Sequence, residues 1–173
     1  PRPPPMSPAA NPNLFAALRA AFPADLDAIA IETDSGLDYS WRDLDRATAM
    51  LANLLQSLEM PAGSRVAAHT EKSLEARMLP LATLRAGFVY LPLNTAYQAA
   101  ELDYFIGNAE PAVVVCAGRN FPWISQLAFQ KGVAHVFTLN DDRTGTLLDR
   151  AAHFPDTQEI APKAADDLAA ILY

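Results

Sequence analysis

Hydrophobic and polar residues along this chain form blocks that change between a helical and an extended period. The most regular helical block follows Ser40, and leucine and alanine recur in it at spacings of three and four. Its apolar members are Leu44, Ala47, Leu51, Leu54, Leu55 and Leu58. Ser40 followed by Asp43 is typical of a helix N-terminus, because each side chain can accept a backbone N–H of the other residue. The pattern predicts a long helix with one buried face.

Short apolar runs separated by amphipathic stretches make up most of the remaining chain. The runs predict strands at 28–32, 37–39, 65–69, 88–91, 112–116, 134–139 and 167–173. The amphipathic stretches predict further helices at 13–22, 74–84, 98–108, 122–130 and 146–152. A turn at 34–36 makes a hairpin of the first two strands. The alternation that follows predicts an α/β fold of alternating βα layers with a mostly parallel sheet.

Two residues affect the helix predicted at 74–84. Pro80 lies inside it, and an interior proline removes a backbone donor and costs about 3 kcal/mol. We therefore expect a kink at Pro80 or a helix that begins later in the sequence. Gly87 follows the helix at a position suited to a left-handed cap.

Composition limits the classes of partner. The chain has 173 residues, of which 51% are hydrophobic, enough to bury a substantial core. Its 20 acidic and 13 basic residues give a formal net charge of −7, which disfavours nucleic acid and anionic lipid. Apolar stretches are far shorter than the roughly 20 residues that cross a bilayer, so we expect no membrane partner. The proline-rich residues 1–12 predict a disordered leader, and 13–173 are assigned to the folded domain.

Several common catalytic signatures are absent from the sequence. The seven glycines form neither a Gly-x-Gly-x-x-Gly nor a P-loop pattern, and no Gly-x-Ser-x-Gly elbow occurs. His69, His135 and His153 are far apart and lack the short spacings of zinc ligands. Cys116 is the single cysteine, which excludes an internal disulfide, and its apolar run predicts a buried structural thiol.

Two polar segments are weaker candidates for a binding site. Glu32 and Asp34 follow the first predicted strand and could hold Mg²⁺ at its carboxyl end, although a solvated turn is the simpler interpretation. Residues 70–73 lie between a strand and a helix, where backbone N–H groups can receive an anion. We favour the alternative that Ser73 or Thr70 caps that helix.

Three segments together resemble the core motifs of the adenylate-forming superfamily, which includes acyl-CoA synthetases and other AMP-binding enzymes. Residues 37–44, Leu-Asp-Tyr-Ser-Trp-Arg-Asp-Leu, resemble its first motif. Residues 84–94, Leu-Arg-Ala-Gly-Phe-Val-Tyr-Leu-Pro-Leu-Asn, are a more specific match to its second. Residues 167–173 resemble the strand that leads into the phosphate loop of this superfamily. Within it, segments between 71 and 111 are most similar to malonyl-CoA synthetases.

The resemblance implies the N-terminal part of the large domain of a cytoplasmic ATP-dependent acid–CoA ligase. Such an enzyme uses ATP, Mg²⁺ and CoA to activate a small carboxylic acid through an acyl-adenylate. The ATP loop is expected immediately after Tyr173, so we assign no catalytic, cofactor-binding or metal-binding residue to this chain. Arg85, at a helix end, and Tyr97, in a turn, are assigned structural roles. We expect the chain alone to bind none of these cofactors and to be inactive.

Other functions share the same early motifs. A ligase for another short or aromatic acid and an amino-acid adenylation domain both fit the resemblance. From a different class, a non-catalytic α/β binding module would use the carboxylates near Glu32 as its site.

Overall fold

The computed structural model describes residues 11–173, and the fold begins with a short helix, a hairpin and a long helix. These elements are α1 (Leu14–Ala20), β1 (Ile29–Glu32), β2 (Asp38–Ser40) and α2 (Trp41–Ser57), with β1 and β2 antiparallel. The start of α2 is the predicted capping box: the Asp43 N–H donates to Ser40 Oγ at 3.0 Å, and the Ser40 N–H donates to Asp43 Oδ2 at 2.9 Å. Both the hairpin and the long helix are confirmed.

A parallel sheet of four strands forms the centre of the described residues. Its strands are β3 (Arg65–His69), β4 (Val89–Pro92), β5 (Val113–Cys116) and β6 (His135–Thr138), in the spatial order β4-β3-β5-β6. The connecting helices are α3 (Leu74–Arg85), α4 (Ala99–Ala109) and α5 (Phe121–Gln130), and α6 (Thr146–Ala151) follows β6. The predicted mostly parallel α/β sheet is confirmed. None of the helices in residues 11–173 is both long and apolar enough to cross a membrane.

The two faces of the sheet bury separate hydrophobic clusters. Successive side chains of a strand point to opposite faces. Val113 and Val115 of β5 belong to the cluster with α2, α3 and α6, and Val114 and Cys116 belong to the cluster with α4 and α5. Because both faces are covered, the central strand β5 is apolar and buried throughout, as is usual for buried parallel strands.

The structure resolves one of the two alternatives for Pro80 and confirms the cap at Gly87. The helix α3 begins at Leu74 and continues past Pro80, so the expectation of a later start is wrong. Gly87 has φ of +88°, and a Cβ at this position would lie 2.9 Å from the Cβ of Ala161. Glycine therefore meets two requirements here, a left-handed backbone and a close approach of the chain.

The strand predicted at 167–173 is wrong in extent. Ala170 forms an isolated parallel bridge with Tyr90, and no longer strand forms there within the described residues. The Tyr90 N–H donates to Ala169 O and the Ile171 N–H donates to Tyr90 O, both at 3.0 Å. A single bridge does not make a strand, although it fixes the direction of the segment beside β4.

The leader expected at 1–12 lies largely outside the described residues. Asn11, within its expected range, donates from its side chain to Ala161 O at 3.1 Å and accepts the Lys163 N–H at 3.2 Å. Asn13 binds the same region, since its Nδ2 donates to Ala161 O at 2.8 Å and to Leu84 O at 2.7 Å. Residues 11–13 therefore tie the start of the described chain to the segment near Ala161.

Candidate functional site at the carboxyl edge of the sheet

The order of the strands creates a crevice at the carboxyl edge of the sheet. The chain passes from β3 to β4 on one side and then returns to β5 on the other side of β3. Open α/β sheets bind ligands outside the carboxyl ends of strands at such a reversal. The loops that meet here are 70–73 after β3, 93–98 after β4 and 117–120 after β5.

A cavity of about 560 Å³ occupies this crevice. Its lining residues are His69, Thr95, Ala96, Tyr97, Gln98, Ala99, Asn120 and Trp123. The volume is within the usual range for a small-molecule site, which is about 300–1,000 Å³. No aspartate, glutamate, lysine or arginine of residues 11–173 is part of this lining, so the cavity offers hydrogen-bonding groups without a fixed charge and aromatic rings.

His69 is the buried polar residue of this cavity. It is the last residue of β3 and is 2% exposed, and within the described chain neither ring nitrogen has a hydrogen-bond partner. The ring of Trp123 meets it edge-on, with centroids 6.2 Å apart. Burial lowers the pKa of His69 below its ordinary value of 6.5, which favours the neutral imidazole. A neutral imidazole presents one donor and one acceptor.

Hydrogen bonds hold the loop after β5 on one side of the cavity. Trp123 Nε1 donates to Asn120 Oδ1 at 3.2 Å, which fixes the indole against the loop after β5. The Gly118 N–H donates to Asn140 Oδ1 at 2.8 Å and connects this loop to the one after β6. Outside the cavity, Arg119 forms an exposed ion pair with Glu71. The side of the cavity formed by Asn120 and Trp123 is thus held in place by contacts within the protein.

The carboxylates considered for Mg²⁺ lie elsewhere. Glu32 ends β1 of the antiparallel hairpin, so it is not at the carboxyl edge of the parallel sheet. Glu32 and Asp34 share a groove with Lys72 and Arg77, whose positive charges compete with a cation. Residues 11–173 contain no cluster of three or more acidic, histidine or cysteine side chains able to hold a metal ion. The hairpin therefore provides no support for a Mg²⁺ site or for a binding module based on it.

The other candidates take structural positions. Ser73 Oγ accepts the Ala76 N–H at 3.0 Å, which confirms the helix cap. Cys116 is buried, and burial raises the pKa of its thiol to about 12, as expected for an inert cysteine. His135 begins β6 and stacks against Phe137, and His153 is exposed after α6. Neither histidine joins His69.

Arg85 and Tyr97, assigned structural roles from the sequence, differ in their surroundings. Arg85 is buried, and its guanidinium donates to Asp45 Oδ1 at 3.0 Å and to Gln158 Oε1 at 2.8 Å. It therefore joins separate segments of the fold and does more than complement a helix dipole. Tyr97 lines the cavity and packs on Phe105, with ring centroids 4.8 Å apart.

The segment leading to Tyr173 approaches the same edge of the sheet. Its pairing with β4 at Ala170 is parallel, so the chain runs towards the carboxyl ends of the strands. Tyr173 packs on Phe105 with ring centroids 4.3 Å apart, and its hydroxyl donates to Asn108 Oδ1 at 2.7 Å. Because Phe105 also contacts Tyr97, aromatic rings connect Tyr173 to the wall of the cavity.

Sequence reasoning missed His69, Asn120 and Trp123 as cavity residues. His69 ends β3, Asn120 lies in the loop after β5 and Trp123 lies in the first turn of α5, and no local motif connects them. A position at the end of β3 or soon after β5 is a signal for a ligand site. Using that signal requires the spatial order of the strands, which the sequence does not show.

Comparison with known proteins identifies the class to which this fold belongs. The chain belongs to the AMP-binding enzyme family, whose model matches residues 18–173. Its fold is that of the N-terminal part of the large domain of an adenylate-forming enzyme.

Two solved proteins show the similarity at different distances. MatB from Rhodopseudomonas palustris, solved in apo and ATP-bound forms, is 48% identical, with a TM-score of 0.89 over 94% of this chain and 32% of that chain. An anthranilate CoA ligase, AuaEII, solved with anthranoyl-AMP, is 18% identical with a TM-score of 0.82 over 93% of this chain and 31% of that chain, and shows the same fold.

Peptide synthetases are also related. Isonitrile lipopeptide synthase from Mycobacterium tuberculosis is 31% identical over 168 residues, which are 96% of this chain and 6% of that protein. The chain thus spans about a third of the solved MatB chain and a small part of the much longer synthase.

Proposed function

We propose that this chain is the N-terminal part of an ATP-dependent acid–CoA ligase that works through an acyl-adenylate, with malonate as its acid. The observation that carries the proposal is the 48% identity to MatB over 94% of the chain. The segments between 71 and 111, which are most similar to malonyl-CoA synthetases, also support it. The proposal includes a cytoplasmic location, because the proposed reaction consumes ATP and CoA.

The proposed reaction has two steps. A carboxylate oxygen of the acid attacks the α-phosphorus of ATP, and pyrophosphate leaves. The thiolate of CoA then attacks the acyl carbon, and AMP leaves with the electron pair of the broken bond. Both steps require groups that neutralise charge on phosphate, which Mg²⁺ and a phosphate loop supply when bound near the reacting atoms.

In this proposal the described residues form the scaffold and hold no catalytic, phosphate-binding or metal-binding group. The phosphate loop follows Tyr173 directly. The parallel course of the segment at Ala170 supports this assignment, because it directs the chain to the edge that carries the cavity. The proposed domain comprises 13–173 and continues into the loop.

A substrate panel tests the choice of acid. The full-length polypeptide is assayed for pyrophosphate release with malonate, acetate, benzoate and a long-chain fatty acid, each with ATP, Mg²⁺ and CoA. We expect malonate to give the highest kcat/KM by at least about tenfold, because a site built to pair a second carboxylate penalises acids that lack it. A clear preference for benzoate or a long-chain acid would contradict the malonate assignment.

Amino-acid adenylation is the second candidate, and the similarity to isonitrile lipopeptide synthase favours it. An adenylation domain catalyses amino-acid-dependent exchange between ATP and pyrophosphate without CoA. A ligase instead forms acyl-CoA that depends on both the acid and CoA. Measuring exchange with a panel of amino acids and acyl-CoA formation with malonate on the same preparation distinguishes the two functions.

A further inference from the structure

The unpartnered imidazole of His69 calls for an explanation. Buried polar groups in folded proteins nearly always have a hydrogen-bond partner, and a missing partner costs stability. Both ring nitrogens of His69 lack one within the described chain, although the residue is 2% exposed. The ring also forms part of the wall of the 560 Å³ cavity, so a bound molecule can supply the missing partner.

The lining of the cavity indicates the chemistry of that molecule. Thr95, Gln98 and Asn120 offer neutral donors and acceptors, and the rings of Tyr97 and Trp123 offer flat apolar surface. Arg119 and Glu71 lie near cavity residues in the sequence, but both are exposed and form an ion pair with each other. A carboxylate or phosphate placed in this cavity would lose its hydration without meeting a positive charge. An uncharged polar group has no such cost.

We propose that His69 is a ligand-contacting residue, and that the cavity at the carboxyl edge binds an uncharged group that carries both a hydrogen-bond donor and an acceptor. His69 contacts this group through its donor nitrogen or its acceptor nitrogen, or both. The rings of Trp123 and Tyr97, which line the cavity, contact its apolar parts. Amides and purine rings have this combination of properties.

Two sources of such a group exist if the proposed function holds. CoA carries amides in its pantetheine arm, and ATP carries an adenine ring. Malonate and pyrophosphate are compact anions and do not fit the neutral lining. The chemistry assigned to the cavity rests on its own residues, whereas the naming of the two sources rests on the proposed function.

Calorimetric titration of the full-length polypeptide tests the proposal with pantetheine and adenosine as separate neutral probes. We expect at least one probe to bind, and His69→Leu to weaken its binding about tenfold or more, because Leu provides no donor or acceptor. The matched control is His153→Leu, which replaces an exposed histidine outside the cavity and should leave affinity unchanged. His69→Gln retains a donor and an acceptor and should lose less affinity than His69→Leu.

The stability of the same variants separates binding from structure. His69→Leu should unfold at the same or a higher temperature than the wild type, because it removes a buried group without a partner. Lost affinity together with retained stability supports the proposal. If His69→Leu does not fold, reduced affinity in His69→Gln beside unchanged affinity in His153→Gln is the supporting result.

The proposal is overturned if neither probe binds, or if each probe binds equally to the wild type and the His69 variants. The proposal is also overturned if malonate displaces a neutral probe whose binding His69→Leu weakens. The cavity would then accept an anion. These measurements do not depend on turnover. A protein that fails the substrate panel and still shows His69-dependent binding would therefore contradict the proposed function alone.

Discussion

Arg85 connects parts of the chain that local patterns treat as separate. Its Nη1 donates to the backbone oxygen of Asp45 at 2.9 Å and to its carboxylate at 3.0 Å, and its Nη2 donates to Gln158 O at 2.7 Å. Its guanidinium also lies over the ring of Phe15, 5.0 Å from the centroid. A helix pattern reveals the residue, but these partners are distant in sequence, so the sequence predicted only a structural role.

Replacing Arg85 by Met should reduce the free energy of unfolding by about 2 kcal/mol, because the variant removes the charged hydrogen bonds of a buried guanidinium and leaves the backbone oxygen of Gln158 without its partner. Asp45 keeps its ion pair with Arg19. The control is Arg42→Met, whose ion pair with Asp27 is exposed to solvent and should contribute little to stability. Urea unfolding of both variants measures the difference. Equal losses would show that burial of the guanidinium does not determine its contribution.

His69 makes stability depend on pH in a definite direction. Burial lowers its pKa in the folded protein below the ordinary value of 6.5. Above about pH 6.5 the group is neutral in both states and contributes no pH dependence. As the pH falls below that value, the unfolded chain binds a proton that the folded chain does not, so the free energy of unfolding decreases towards the lowered pKa.

The prediction is that the wild type loses more stability than His69→Leu between about pH 7.5 and pH 5.5. His153→Leu serves as the control, because the residue it replaces is exposed. Chemical unfolding at several pH values measures the slopes. Parallel slopes for the wild type and His69→Leu would mean that His69 is protonated as easily in the folded protein as in the unfolded chain.

At the scale of elements, periodicity predicted every helix from α1 to α6 and every strand from β1 to β6, because burial of one face or both leaves a local pattern. The errors concern features that depend on distant partners. The apolar run 167–173 resembles a strand, yet Ala170 alone is paired there, since a strand exists only where a neighbour is in register. Pro80 is accommodated within α3, which is tightly packed against α2.

The buried face of α2 provides a direct test of the helix assignment. Leu51 is 3% exposed in the main core cluster, so Leu51→Asp places a carboxylate without a partner in an apolar environment. We expect this change to reduce the free energy of unfolding by several kcal/mol, on the order of 4. Gln56→Asp, on the exposed side of the same helix, should cost about 1 kcal/mol or less. Equal urea midpoints would contradict the assigned face.

At the scale of the whole molecule, the sequence supplied the fold class and the resemblance to a family, but not the cavity. Parallel strands and their helices leave periodic signals, and the motif at 84–94 is specific. The cavity arises where the loops after β3, β4 and β5 meet, which depends on the order β4-β3-β5-β6. His69 appeared in the sequence as an isolated histidine at the end of a strand, because its position beside Trp123 is a property of the assembled sheet.

The last prediction concerns the 1–173 segment produced alone: it should bind ATP–Mg²⁺ more weakly than about 1 mM and form no acyl-CoA. Adenylation needs donors directed at the phosphates, and losing even one typically costs about 10²- to 10³-fold in rate. Residues 11–173 contain no cluster able to hold a metal ion, and Ser73 already caps the helix that follows β3. Calorimetry with ATP–Mg²⁺ and a malonate-dependent AMP-release assay test both points, with the full-length polypeptide as the positive control. A micromolar dissociation constant, or acid-dependent AMP from the segment, would place a complete nucleotide site among residues assigned here to the scaffold.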